Sequence, residues 1–427
     1  MKSGISKIVV AALLVTLTTF SNSPSAQATQ YAFSKMLFTP CGATGANGPT
    51  LSNCLAQSNY SSNSWTSNTS FFNITAGIQF WTVPTSGSYV ITAAGAQGGG
   101  YNSNQGGKGV VETSTINLTE GQIIQILVGQ QGHSSDGSHG SGGGGTFVVA
   151  TPYNTNSSIL MIAGGGGGYG SSGGGANMAG QTAQNPTSTS TNAGLNGGGG
   201  ASAESSSGRG GNGFVNGTNA GGSLWAAGGG GFGGNGGGYS GGSIAGPMSF
   251  INGGTGGPGS PAIGAGGFGG GGGAGDRGGG GGGYSGGGGG NNNSYGGDGG
   301  GSYITGTLQT AIGGANVGDG YVLITRYIPA VISVNIPSST TYRTISTLTA
   351  TSDSPGKITF YAFGKAIPGC KGIVATGSSS TYTATCAWKP SVHGTQVITA
   401  AIVPNNGNTG ASASAPSSGA AARSNNR

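Results

Sequence analysis

Short apolar runs of strand length, with no helical periodicity, organise the first part of the chain. The segments Gln79–Val83, Tyr89–Ala93, Gly109–Leu118, Gln122–Val128, Thr146–Ala150 and Ile159–Ala163 are rich in Val, Ile, Thr and aromatic residues, and clusters of Gly, Asn, Pro and Ser separate them. Branched and aromatic side chains suit a pleated, half-buried surface, so these runs predict strands. Pro84-Thr85-Ser86-Gly87 is turn chemistry between the first two. Several short strands at this spacing predict a sandwich or jelly roll. Strand grammar returns at Gly320–Thr325, and five more alternating segments follow: Val331–Ile336, Arg343–Ala350, Lys357–Phe363, Thr381–Trp388 and Gln396–Val403. Short strands with two cysteines, and a Trp near one of them, read as an Ig-like β-sandwich over 331–403. The tail Pro404–Arg427 consists mostly of Asn, Ser, Ala and Gly, shows no core-forming pattern, and is expected to be disordered.

Between the two strand-rich parts lies a glycine region, about 164–301. The whole chain holds 100 Gly and 16 Pro in 427 residues, with only 5% charged. Collagen is excluded, because there is no G-X-Y period. An α-helix is excluded at about 1 kcal/mol per glycine relative to alanine. Two outcomes stay open. One is disorder, the usual meaning of such a composition. The other is a set of extended helices with three residues per turn, which make no internal hydrogen bonds and must bond to one another. Single aromatics punctuate the tract (Tyr169, Phe214, Trp225, Phe232, Tyr239, Phe250, Phe268, Tyr284 and Tyr295) and would cap or wedge such a lattice. Strands on both sides make the tract an insertion within one β-domain, where disorder would be a heavy entropic load.

The first residues predict export. Lys2 and Lys7 precede a short apolar stretch, Ile8 to Phe20, and Ala26-Gln27-Ala28 is a small-residue cleavage site. Residues 1–28 therefore read as a signal peptide, and no later stretch has the length of a membrane helix. Residues 29–70 form an N-terminal extension with two cysteines. In an exported chain Cys41 with Cys54 and Cys370 with Cys386 read as local disulfides, three connectivities being possible; a zinc site is the weaker reading. Charge is unevenly placed. Residues 29–327 hold five basic and seven acidic side chains, net −2, whereas 331–403 hold Arg343, Lys357, Lys365, Lys371 and Lys389 against Asp353 alone, net +4. The second module, rather than the glycine domain, is thus the expected contact for any anionic surface polymer, against the plainer reading that these cations only keep a small sandwich soluble.

The order of several strings resembles a known family. Trp81-Thr82-Val83-Pro84-Thr85-Ser86-Gly87-Ser88-Tyr89 leads into Ala94-Gly95-Ala96-Gln97-Gly98-Gly99, then into Gly121-Gln122-Ile123-Ile124-Gln125-Ile126-Leu127-Val128-Gly129. GGGGTFVV at 142–149, LMIAGGGGG at 160–168, SFINGGTGG at 249–257, the long run at 266–290 and GDGYVLI at 318–324 follow. Over about 71–327 this resembles the glycine-rich extracellular domain of the anaplastic lymphoma kinase and leukocyte tyrosine kinase receptors. The resemblance implies an all-β, tumour-necrosis-factor-like jelly roll with an inserted polyglycine-II helix bundle, and a region that helps to bind a protein ligand outside the cell. A cysteine that the receptors carry in the equivalent of 272–275 is missing, and no V-A-I-K, H-R-D or D-F-G string occurs. No kinase chemistry is implied. Residues 331–403, through Gly356-Lys357-Ile358-Thr359-Phe360 and Tyr382-Thr383-Ala384-Thr385-Cys386-Ala387-Trp388, resemble bacterial Ig-like surface repeats.

Candidate chemistry is sparse. Ser240 and Ser285 each sit in a G-x-S-x-G string, but both lie in glycine tracts without the strand, helix and partners that a nucleophile elbow needs. His133, Asp136 and His139 share one loop and could hold a metal, against the plainer reading of a solvated loop. Glu112 and Glu120 could be imagined as a glycosidase pair, against the plainer reading that both face solvent. Sequons at Asn68, Asn73, Asn117, Asn156 and Asn216 matter only in a glycosylating organism. No catalytic residue, metal or cofactor is assigned. The expectation is a secreted or cell-surface structural or adhesive protein whose partner is an extracellular protein or surface polymer, with no nucleic acid and no membrane span after signal removal. The alternatives are a receptor-like ligand-binding ectodomain without a kinase, and a hidden hydrolase.

Overall fold

The computed structural model describes residues 30–134, 139–171, 173–187, 193–202, 210–219, 226–239, 244–259, 264–291, 296–337, 340–378, 380–405, 408 and 410–417. The expected signal peptide, residues 1–28, lies outside them, as do Asp136, Ser240, Trp225 and Tyr295.

The fold is all-β. Eleven strands precede residue 327: β1 (Lys35–Phe38), β2 (Phe72–Thr75), β3 (Ile78–Thr82), β4 (Gly87–Ala94), β5 (Gly109–Leu118), β6 (Ile123–Leu127), β7 (Thr146–Ala150), β8 (Ile159–Ala163), β9 (Tyr303–Ile304), β10 (Thr307–Asn316) and β11 (Tyr321–Arg326). They form two antiparallel sheets, β1-β11-β4-β5-β10 and β2-β3-β6-β7-β8-β9. Inward-facing Phe38, Trp81, Tyr89, Ile91, Ile124, Ile126, Val148, Met161, Val322 and Ile324 make one core. Each such side chain contributes about 1.5–3 kcal/mol by leaving water.

The N-terminal segment is part of that core. Phe33, Phe38, Tyr60 and Trp65 are buried in it, and the rings of Phe33 and Trp81 stand 5.1 Å apart. Strand β1 closes one edge against β11, with Phe38 opposite Val322. Cys41 is bonded to Cys54. The apparent extension supplies a strand and aromatic mass, which its short, loop-broken sequence does not announce.

The second sheet is apolar on both faces. Along β7, Val148 and Ala150 join the first core, whereas Phe147 and Val149 face the other way. That outer face is covered by rings from the glycine tract: Phe232, Phe250, Phe268 and Tyr284 pack there with Leu127, Ile159 and Ile162. Phe250 stacks between Phe147 and Phe232 at centroid distances of 5.0 and 5.5 Å. A strand buried on both faces reads as a continuous apolar run, as TFVVA and ILMIA do.

The described glycine segments follow the ordered outcome, and their backbone bonds repeat every three residues. Within residues 279–284, Gly279 and Gly282 donate to the carbonyls of Gly140 and Gly143. Gly280 and Gly283 donate to Ala227 and Gly230, and Gly281 and Tyr284 donate to Asp298 and Gly301. These bonds are 2.8–3.2 Å long. One segment thus bonds in three directions, each direction served by every third residue. That is the register of a threefold extended helix packed in a lattice, the polyglycine-II arrangement. The lattice is wider than the insertion between β8 and β9. Loops that precede it in sequence take part, as when Gly99 and Ala96 donate to Ser141 and Gly144.

Only glycine fits most of these positions. A Cβ built on Gly166, Gly142 or Gly281 would fall inside 3.0 Å of a neighbouring carbonyl oxygen, that of Gly107, Gly280 or Gly165 respectively. The segments approach backbone to backbone, and a methyl group has no free space to enter.

The remaining strands are β12 (Ile332–Asn335), β13 (Ser346–Ser352), β14 (Gly356–Ala362), β15 (Lys365–Ala366), β16 (Ile373–Val374), β17 (Thr376–Ser378), β18 (Thr381–Trp388), β19 (Val397–Pro404) and β20 (Ala411–Pro416). They form sheets β12-β13-β18-β17 and β15-β14-β19-β20, with β16 also on β14. Leu348, Ile358, Phe360, Trp388, Ile398 and Ile402 fill the space between, beside the Cys370–Cys386 disulfide. The expectation of a patternless tail from 404 is corrected over 411–416, which pair with β19 from Pro416↔Val397 to Ala411↔Ile402. Alternating Ala and Ser carry period two without bulk, so the strand is recruited by the open edge of β19 rather than by apolar content.

Candidate functional site

A lattice without room for Cβ atoms can carry chemistry only at its ends. The end next to the second sheet is closed by the phenylalanine cluster. At the opposite end the segments turn back, and several ionisable side chains lie there. Tyr101 and Asn104 close a tight turn through reciprocal backbone bonds of 3.0 and 2.9 Å. The His139 ring lies parallel to that of Tyr101, with centroids 6.1 Å apart. His139 Nδ1 meets the Gly275 carbonyl at 3.0 Å, so in the neutral ring Nδ1–H donates and Nε2 keeps a lone pair. Nε2 is buried and has no hydrogen-bond partner. Burial lowers the His139 pKa; the Gly275 bond works against it, Arg277 adds to the lowering, and Asp276 opposes it least. Beside it the Tyr239 hydroxyl donates to the Ala274 carbonyl at 3.0 Å, and burial, with Asp276, pushes its pKa up to about 12. His133 is exposed at the same tip, and Ser134 Oγ accepts the Gly100 amide at 2.8 Å.

Of the three loop residues weighed as metal ligands, Asp136 lies outside the described residues; His133 and His139 are placed at the tip, His133 exposed and His139 tied to Gly275. Among the described residues no group of three or more His, Cys, Asp or Glu stands together. Ser285 is fully buried in the lattice, where its hydroxyl accepts the Gly197 amide at 3.1 Å and reaches Asn185 Oδ1 at 3.3 Å. It stitches backbone segments and has no histidine beside it. Asn117 and Asn216 are spoken for as hydrogen-bond acceptors, from Ser88 Oγ and from the Asn235 amide.

The solvent-facing reading of Glu112 is corrected. Glu112 lies in the middle of β5 between Ala93 and Ala311, fully buried, and neither carboxylate oxygen has a hydrogen-bond partner. Desolvation raises its pKa to about 8, so it is largely protonated at neutral pH. Glu120 is eight residues further along and partly exposed beyond the end of the strand. Residues that far apart on an extended chain stand roughly 25 Å from each other, too far for a glycosidase pair. The sequence did carry the signal: Glu112 shares strand parity with Val110, Ser114, Ile116 and Leu118, all buried.

A cleft of about 330 Å³ lies where the N-terminal segment meets the bundle, between Asn47–Leu51, Ile74, Gly77 and Phe268, and no titratable side chain lines it. No helix among the described residues is long and apolar enough to cross a membrane.

No protein-family profile matches the chain. It is similar to the leukocyte tyrosine kinase receptor of Mus musculus, 35% identical over 101 residues. That stretch is 23% of this chain and 11% of the receptor. A relationship to that receptor type is supported over the matched stretch.

Proposed function

We propose that this is a secreted or cell-surface binding protein of structural or adhesive type, in which the glycine bundle is a stiff spacer with its contact residues at the far end. The observation that carries this reading is the three-residue repeat of the backbone bonds. It leaves no room for a Cβ at most interior positions and sets Tyr101, His133 and the Asp276–Arg277 turn at the tip. A bundle held by so many backbone bonds to several neighbours resists bending, which suits presentation at a distance and suits no catalytic cycle that needs closure. Export, expected from residues 1–28, would place the chain outside the cytoplasm, and the two disulfides suit an oxidising compartment.

The test is retention of the full-length protein on cells that have been stripped of it. Replacing Tyr101, His133 and Arg277 together by alanine should lower retention about tenfold while the melting temperature stays within a few degrees, as expected for exposed or half-exposed sites. Undiminished retention would remove the tip from the proposal.

A second reading is favoured by the likeness to the mouse receptor: a ligand-binding module that takes one protein ligand. Saturable one-to-one binding of a single purified extracellular protein would favour it. Retention that scales with the length of a surface polymer would favour the first.

A further inference from the structure

The second sandwich gathers most of its cations at one end. Strand β13 pairs with β18 so that Ser346 lies opposite Trp388, which brings Arg343 and Lys389 to the same end. The β14–β15 turn, with Ala362 opposite Lys365, is at that end too. Arg343, Lys365 and Lys389 are three of the five cations of 331–403. The one carboxylate of that stretch, Asp353, follows β13 at its other end, where its Oδ1 accepts the Val331 amide and the Ser354 hydroxyl. Two adjoining clefts of about 500 and 310 Å³ share Lys389 and Ser391. The larger has an apolar floor of Phe363, Ile367, Pro368 and Trp388 with Lys365 and Lys389 on its rim; the smaller is bounded by Arg343 and Pro390.

The backbone singles out two of these residues. Phe363 and Gly364 form the two-residue turn between β14 and β15 with φ of 52° and 72°. Both central positions of such a turn have positive φ, which favours Asn, Asp or Gly and disfavours a bulky side chain. Phe363 sits there nonetheless, 61% exposed, with its ring at the mouth of the cleft. Arg343 also has positive φ, 61°, while its guanidinium lies 5.1 Å from the Tyr342 ring centre, and Tyr342 packs on His393 at 4.0 Å. A strained turn that exposes an aromatic ring has no folding rationale; strain of this kind is retained where the side chain has work to do.

We infer that this end of the second sandwich binds an anionic polysaccharide, with sugar rings laid against Phe363 and the apolar floor and their acidic groups met by Lys365, Lys389 and Arg343. A continuous pair of clefts suits a linear chain better than a compact ligand, and cations spaced along it suit a charge that repeats. The absence of a carboxylate at this end leaves the attraction unopposed, and exposed pairs of this sort weaken with salt. The inference does not rest on the tip of the glycine bundle, and substitutions there leave it intact.

The experiment uses the full-length protein with oligogalacturonate as the acidic sugar probe. Dextran serves as neutral sugar, and polyphosphate and a single-stranded oligonucleotide as anions without sugar acid. Oligogalacturonate is expected to bind more tightly than all three, with affinity that falls as salt rises. Lys365→Gln, Lys389→Gln and Arg343→Gln should each weaken binding about 2- to 5-fold. The decisive variant is Phe363→Asn, which suits the turn better and removes the ring. Binding should fall about 5-fold while the melting temperature holds or rises. Absent binding, equal or tighter binding of polyphosphate or the oligonucleotide, or a Phe363→Asn variant that binds like the parent would each overturn the proposal.

Discussion

The glycine bundle and the second sandwich are both ordered, and they are ordered by opposite means. In the sandwich, side chains do the work: Leu348, Phe360 and Ile398 are shielded from water, and the backbone bonds only to adjacent strands. In the bundle, most interior positions have no room for a side chain, and one segment bonds to several others because the glycine backbones approach closely. The sandwich is therefore sensitive to the loss of a side chain, and the bundle to the gain of one. Function follows the same division, since a surface of ordinary side chains can carry a site on any face and a bare lattice only at its ends.

The comparison can be broken most sharply by removing a ring from the sandwich. Phe360→Ala should cost about 3–5 kcal/mol, the range for a buried aromatic, and by hydrogen exchange the amides of the bundle should keep their protection. A loss of protection shared by both regions would show that they do not fold as separate cores.

Charge gives a second effect, because the first side-chain core buries a carboxyl group with no hydrogen-bond partner. The pKa of Glu112, about 8 in the fold, lies above its ordinary value of 4.5. The folded protein keeps its proton over a range where the unfolded chain has lost it. Stability from this group is complete below pH 4.5, falls as pH rises, and is lost by about pH 8. The full swing is at most about 5 kcal/mol. Glu112→Gln should flatten the melting temperature between those pH values and exceed the parent at pH 8. An unchanged pH profile would mean that Glu112 is solvated.

The bundle supplies the third. Gly166→Ala, which drives a methyl into the Gly107 carbonyl, should cost about 2–3 kcal/mol by overpacking. Gly313→Ala, on the exposed edge strand β10 with its nearest neighbour at 3.2 Å, should cost under about 1 kcal/mol. Equal melting temperatures for the two variants would refute the close-packed lattice.

Much of this was legible along the chain. Period two and turn residues marked β3 to β8, β11 and, in the second sandwich, β12, β13, β14, β18 and β19, because those strands bury one face or both with residues large enough to leave a pattern. The exposed β10, TLQTAIGGAN, lacked such residues, and β20 had only Ala and Ser, so neither left one. The local spacing of the cysteines favoured the two bonds that form. Of the candidate site, the residues could be named but not assembled: His139 and Asp276 are 137 positions apart, and no local rule relates them.

By itself, then, the sequence determined the all-β class, the two strand-rich regions and the absence of helix from the glycine tract. These follow from local preferences of β-branched residues and of glycine. It left open whether the tract is ordered, because a threefold extended helix has no bonds of its own and exists only when neighbours surround it. Tertiary structure decided that, along with the burial of Glu112 and the gathering of cations at one end of the second sandwich. Each depends on which distant segments meet, and a chain that bonds sideways rather than along itself does not write that choice into any short stretch of residues.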